Sequence, residues 1–122
     1  MQDIQMGEIE TRFAKIIWDN APISSGELAK LAAEAFLWKR TTTYTVLKKL
    51  CLKGLFENKE GIVRVLITEK EYRSIRSAKM VEEEYQGSLP SFVAAFTSQK
   101  KLSEEEIREI MRILEPSGKE GQ

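Results

Sequence analysis

The segment from Lys39 to Gly54, KRTTTYTVLKKLCLKG, holds the side chains of this chain best suited to recognition chemistry. Drawn as a helix of about 3.6 residues per turn, it separates into two faces. Thr43, Val46, Leu47 and Leu50 form an apolar side, and Thr41, Thr42, Thr45, Lys48 and Lys49 form the opposite one. A face that only solubilises usually mixes Glu with Lys, whereas this one has no acid and places short hydroxylated side chains toward its N-terminal end. Threonine hydroxyls donate to phosphates or base edges, their methyls meet thymine methyls, and lysines neutralise backbone charge. The chemistry fits a polyanion with readable edges. An ordinary amphipathic helix, with three threonines at a poor start and lysines that merely solvate, fits this stretch equally well.

The surrounding elements must hold that helix in place. From Gly7 to Asn20, the spacing of Ile9, Phe13, Ile16 and Ile17 predicts a core helix, closed by Asn20-Ala21-Pro22. Ser24-Ser25-Gly26-Glu27 reads as a capping box, with Ser24 accepting from the backbone and Glu27 reaching back. It opens a second helix to about Phe36 with Leu28, Leu31, Ala32 and Ala35 as its stripe. The short link Leu37-Trp38 then makes the second and third helices a helix-turn-helix. Gly54 is the expected left-handed stop. A hairpin follows, with one strand over Leu55–Asn58, a turn at Lys59-Glu60-Gly61 and a β-branched strand from Ile62 to Thr68. Three helices and a two-stranded ribbon are the order of a winged helix, and Lys59 and Arg64 put cations on its wing.

Beyond the ribbon, Thr68-Glu69-Lys70-Glu71 is a second capping box, opening a long helix through about Tyr85 with Tyr72, Ile75, Ala78, Val81 and Tyr85 inward. Gln86-Gly87-Ser88 breaks it. Pro90 suits the first turn of a short helix bearing Leu89, Phe92, Val93 and Phe96. Ser103-Glu104-Glu105-Glu106 caps a last helix bearing Ile107, Ile110, Met111 and Leu114. Burying such side chains is worth about 1.5 to 3 kcal/mol each. Both stripes therefore need a second surface, and the same helices of a second copy supply it in a two-fold pair. The expected class is mainly α with a small β-hairpin wing, a winged helix-turn-helix plus a C-terminal helical dimerisation region. The expected divisions are a winged-helix DNA-binding domain over 1–68, a helical dimerisation region over 69–116 and a disordered tail over 117–122.

The totals narrow the chemistry. At 122 residues, with 42% apolar and 31% charged content, the chain suits one globular domain plus an oligomerising appendage. No apolar run approaches the roughly 20 residues that span a bilayer, and the start Met1-Gln2-Asp3-Ile4 lacks the basic region of a signal peptide. A soluble, cytoplasmic protein is expected. With no histidine and a lone Cys51, the usual zinc sets, an internal disulfide and His-based catalysis are excluded, so no cofactor, metal or catalytic residue is expected. The net charge is zero but unevenly spread: 3 basic and 6 acidic residues over 1–38, 11 and 4 over 39–79, 5 and 9 over 80–122. The basic centre coincides with the threonine helix, as a nucleic-acid site requires.

Trp38-Lys39-Arg40-Thr41-Thr42-Thr43-Tyr44-Thr45-Val46-Leu47-Lys48-Lys49-Leu50 with Lys53-Gly54-Leu55 resembles the third-helix motif T-x-x-T-V-L-x-x-L-x-x-K-G of the penicillinase-repressor family. Glu10, Phe13, Ile17 and Trp18 are similar to that family's first-helix pattern, and Leu102-Ser103 with Glu106-Ile107 to the opening of its dimerising helix. The resemblance covers about residues 6 to 115. It implies a dimeric repressor on a palindromic operator of resistance or stress genes. In some members a regulatory protease effects release by cutting beside a phenylalanine in the helix before the last one, and by alignment that bond falls at Ala95-Phe96, where this chain has Ala in place of the Asn of better-known members. Copper-responsive members end in a cysteine cluster that this chain does not carry.

The reading assigns Thr41, Thr42, Thr45 and Tyr44 to the major groove and Lys39, Arg40, Lys48, Lys49 and Arg64 to phosphates. Leu89, Phe92, Val93, Phe96, Ile107, Ile110, Met111 and Leu114 are assigned to dimerisation. Trp18 and Trp38 are read as core pillars, Cys51 as an inert thiol and Glu82-Glu83-Glu84 as solvating acids. Two alternatives remain at this point. One is a winged-helix protein-interaction module with an acidic partner. The other is a small-molecule-sensing regulator of the multidrug-resistance type, a class that dimerises through both termini, whereas here only Met1 to Met6 precede the first helix.

Overall fold

The computed structural model describes residues 4–115, so the expected tail at 117–122 lies outside the described residues. The element order is α1 (Glu8–Asn20), β1 (Ile23–Ser24), α2 (Ser25–Phe36), α3 (Arg40–Leu52), β2 (Phe56–Lys59), β3 (Ile62–Val65), α4 (Glu69–Glu84), α5 (Leu89–Gln99) and α6 (Glu104–Leu114). The chain falls into two compact units that meet between Ala78 and Lys79.

In the first unit the core is made by the faces that helical periodicity selects. Phe13, Ala14 and Ile17 of α1, Leu28 and Ala32 of α2, and Leu47 and Leu50 of α3 close over Leu55, Phe56 and Val63 of the wing and Tyr72 of α4. The small Ala29 and Ala32 are buried on α2, which lets a neighbouring helix pack closely against it. Three residues placed on core stripes by periodicity face out instead: Ile9, at 43% exposure, and Ala35 and Ala78. Ile9 sits in the first turn of α1, while Ile4 and Met6 from the segment before the helix are the residues buried in the core there, and the alanines expose little apolar area by turning outward. Both tryptophans pack as pillars. Trp18 stacks at 5.5 Å from Phe56 and from Tyr72, while Trp38 lies 5.2 Å from Phe13 and 4.8 Å from Phe36.

The sheet has three antiparallel strands in the order β1-β3-β2, not two. Ile23 pairs with Val63 and Ser24 with Ile62, so the link after α1 docks on the ribbon, reinforced by Ser25 N–H donating to Gly61 O at 2.8 Å. Two residues give no alternation to read. The capping box at the start of α2 is one-sided: Ser24 Oγ accepts from Glu27 N–H at 3.1 Å, but the Glu27 carboxylate takes Lys30. Glu60 (φ 53) and Gly61 (φ 79) form the two-residue turn joining β2 to β3. Positive φ at both central positions matches the twist of the strands. β3 ends at Val65 rather than running to Thr68, because Leu66 and Ile67 both turn their N–H groups to Leu55 O.

Thr68 caps α4 as expected, its backbone N–H donating to Glu71 Oε1 at 2.8 Å and its Oγ1 accepting from Glu71 N–H at 3.0 Å. In the second unit Ser88 caps α5 with Pro in its first turn, and Ser103 with Glu106 forms a full capping box on α6. Tyr85 meets Phe92 edge-on at 5.5 Å. No residue of α5 or α6 is buried. Among the described residues, no helix is long and apolar enough to cross a membrane.

Candidate nucleic-acid interface

The inward side of α3 fixes which side chains it shows. Thr43, Leu47 and Leu50 are buried, and the Thr43 hydroxyl is satisfied by donating to Lys39 O at 3.3 Å. A fully buried hydroxyl thereby costs little. With that side fixed, Thr41, Thr42, Thr45, Lys48 and Lys49 are all exposed, and no acid stands in the first turn of the helix. Lys39 occupies the N-cap without a side-chain cap, so among the described residues the first N–H groups of α3 carry no side-chain acceptor. Such an end favours an anion through its open donors and the helix dipole.

The flanks of the face are organised too. Arg40 Nη1 donates to Tyr44 Oη at 3.1 Å, holding a full guanidinium charge beside the helix start. Tyr44 is half-buried and lines a hollow with Leu47, Lys48, Cys51 and Asn58 of β2. Thr45 Oγ1 donates to Thr41 O at 2.9 Å. Arg64 is exposed on β3, opposite Glu57 in the register, on a different element from the threonine face.

Lys49 differs from the rest of its face. Its Nζ lies 2.9 Å from Glu10 Oε2, and that pairing draws the Glu10 carboxyl below its ordinary pKa, helped by the Gly7 N–H and by Lys53 and opposed by burial. Lys53 Nζ donates to Gln5 O at 2.7 Å. Helical spacing alone sets Lys49 among the phosphate holders and gives Glu10, Gln5 and Lys53 no part in the site. No local spacing signals these pairs, because each joins parts of the chain far apart in the sequence.

Burial raises the Cys51 thiol above its ordinary pKa, which keeps it protonated and unreactive. Among the described residues there is no group of three or more His, Cys, Asp or Glu side chains placed to hold a metal ion.

In the second unit the residues assigned to dimerisation converge. Phe92, Val93, Phe96, Ile107, Ile110 and Met111, with Thr97 and Leu102, line an apolar groove of about 340 Å³. Leu89 and Leu114 stand exposed at 48% and 60%. Ala95 and Phe96 are both exposed on α5.

A helix-turn-helix backed by a three-stranded wing, with the second helix of the pair showing a basic, hydroxylated face, defines a winged-helix protein. The penicillinase repressor profile matches residues 6–116. A penicillinase repressor of Bacillus licheniformis is 35% identical over 115 residues, covering 91% of this chain and 90% of that one. The methicillin resistance regulatory protein MecI of Staphylococcus aureus is 25% identical over 114 residues, covering 90% and 93%. The solution structure of the monomeric form of Bacillus licheniformis BlaI in complex with the blaP half-operator has a TM-score of 0.49 and 26% identity, covering 59% of this chain and 94% of that one. The chain belongs to the penicillinase repressor family, whose members are repressors and not enzymes.

Proposed function

We propose that the chain is a sequence-specific transcriptional repressor that binds a palindromic DNA operator of resistance or stress genes as a homodimer. The single observation that carries this reading is the outward face of α3, where exposed Thr41, Thr42, Thr45 and Lys48 stand free of acids over a side fixed by buried Thr43, Leu47 and Leu50. In this reading Thr41, Thr42, Thr45 and Tyr44 read base edges in the major groove, and Lys39, Arg40, Lys48 and Arg64 hold phosphates. The names of the two relatives, a penicillinase repressor and a methicillin resistance regulatory protein, support resistance genes as the target.

Residues up to Thr68 carry recognition and 69–116 carry self-association, with the apolar groove of α5 and α6 covered by the same helices of a second copy. The two-fold pair presents two α3 helices to half-sites one or more turns apart. For release we propose a regulatory protease acting at Ala95-Phe96. The exposure of both residues supports access once the helix opens. The cytoplasm, where the operator lies, is the site of action.

Selection of duplexes from a random pool, followed by fluorescence anisotropy at two salt concentrations, tests the reading. A repressor enriches one palindrome and loses affinity steeply as salt rises, by about 0.9 log units per log unit of salt for each neutralised phosphate. Enrichment of nothing, with negligible duplex affinity at either salt, contradicts it and favours the protein-interaction module.

A further inference from the structure

We propose that Lys49 is a positioning residue, holding α3 to the start of the chain through Glu10, and contributes no phosphate contact. This rests on the DNA-binding reading above and deepens it. On a helix, Lys49 and Lys53 are one turn apart on one flank, whereas Lys48 sits in the middle of the exposed face with Thr41 and Thr45. Both flank lysines reach the same stretch of chain: Lys49 Nζ lies 2.9 Å from Glu10 Oε2, and Lys53 Nζ donates to Gln5 O at 2.7 Å.

That stretch is a firm anchor. Ile4 and Met6, on either side of Gln5, are 5% and 6% exposed. Glu10 is clamped from the other side as well, since its Oε1 accepts the Gly7 N–H at 3.3 Å. Its side chain is 16% exposed against 59% for Lys49. The acid is the fixed partner and the lysine reaches to it, so the pair sets the rotation and height of α3 on α1. The Lys49 charge is already matched by Glu10, and releasing it to a phosphate would leave that carboxylate without its ion partner.

The test measures duplex binding as a function of salt for the wild-type protein, Lys49→Gln, Lys49→Arg, Glu10→Gln and Lys48→Ala, on the selected operator and on random duplex. The expected result is that Lys49→Gln keeps the wild-type salt slope while operator affinity falls several-fold, and that Lys49→Arg restores affinity. Glu10→Gln should likewise narrow the preference for operator over random DNA, although it removes a negative charge. A slope lowered by about one in Lys49→Gln, as expected of Lys48→Ala, or a Glu10→Gln protein that binds both duplexes more tightly by the same factor, overturns the proposal. Titration of the Glu10 carboxyl by NMR without DNA reads the pair directly. A midpoint that returns toward the ordinary glutamate value in Lys49→Gln supports it, and one that does not move overturns it whatever the DNA result. Failure of the wild-type protein to bind any duplex is a separate outcome that sinks the repressor reading.

Discussion

Thr45 Oγ1 donates to the carbonyl of Thr41 at 2.9 Å, which commits the hydroxyl proton to the helix and leaves the oxygen lone pairs and the methyl facing outward. In this state Thr45 presents an acceptor and an apolar contact, not a donor. Thr45→Val keeps the methyl and removes the acceptor. It should weaken operator binding by about 1 kcal/mol, near fivefold, and leave random duplex unaffected, as measured by anisotropy on both duplexes. Equal losses on the two would remove Thr45 from sequence reading.

Lys48 lies at the centre of the same face and is exposed. Lys48→Ala should weaken binding to every sequence alike and lower the salt slope by about one. A loss confined to the operator would make it a base contact instead.

Leu37 closes α2 with φ 59 and is 89% exposed. A left-handed leucine strains the backbone, and its side chain returns almost no burial. Leu37→Gly should stabilise the protein by about 0.5 to 1 kcal/mol, offset in part by glycine's greater freedom when unfolded. Thermal unfolding should show a midpoint raised by a few degrees. A lowered midpoint would mean the side chain has a contact that holds the turn.

The face of α3 was legible because three signals agreed on it: the buried stripe, the missing acids and the local excess of basic residues. The capping residues were equally plain, since Ser24, Thr68 and Ser103 accept the helix N–H groups that their positions suggest. What periodicity missed has a common cause, which is contact between parts distant in sequence. β1 exists only because the ribbon offers an edge, and its two residues show no pattern of their own. Lys49 belongs to the right face by its helical angle, yet its partner lies far back in the sequence at Glu10. Ile9 counts as a core residue by spacing, but Ile4 and Met6 from before the helix are buried in the core and Ile9 is not.

Glu10 also sets a pH dependence. Its carboxyl is held below the ordinary value, first by Lys49 and then by the Gly7 N–H and Lys53, against burial. A depressed carboxylate contributes stability that is present above its unfolded pKa and lost as pH falls through the folded one. Chemical denaturation from neutral pH down through the glutamate range should therefore show stability declining, and declining less in Glu10→Gln. Parallel curves for the two proteins would show that the carboxylate is not held in solution.

Met111 lines the apolar groove of the second unit and is 54% exposed. If that groove receives a second copy, Met111→Glu places an unpaired charge against it, which is costly in a water-excluded contact. The expected outcome in sedimentation velocity is a shift from dimer to monomer, with far-UV circular dichroism unchanged. A variant that sediments as the wild type does would move the interface elsewhere.

In the proposed assembly two copies, joined through α5 and α6, set two α3 helices into one duplex. Sedimentation equilibrium of the protein on its selected palindromic duplex, and on one half-site cut from it, tests this most directly. Two chains per palindrome and much weaker binding to the half-site are expected. One chain per duplex, bound as tightly to the half-site as to the whole, would contradict it.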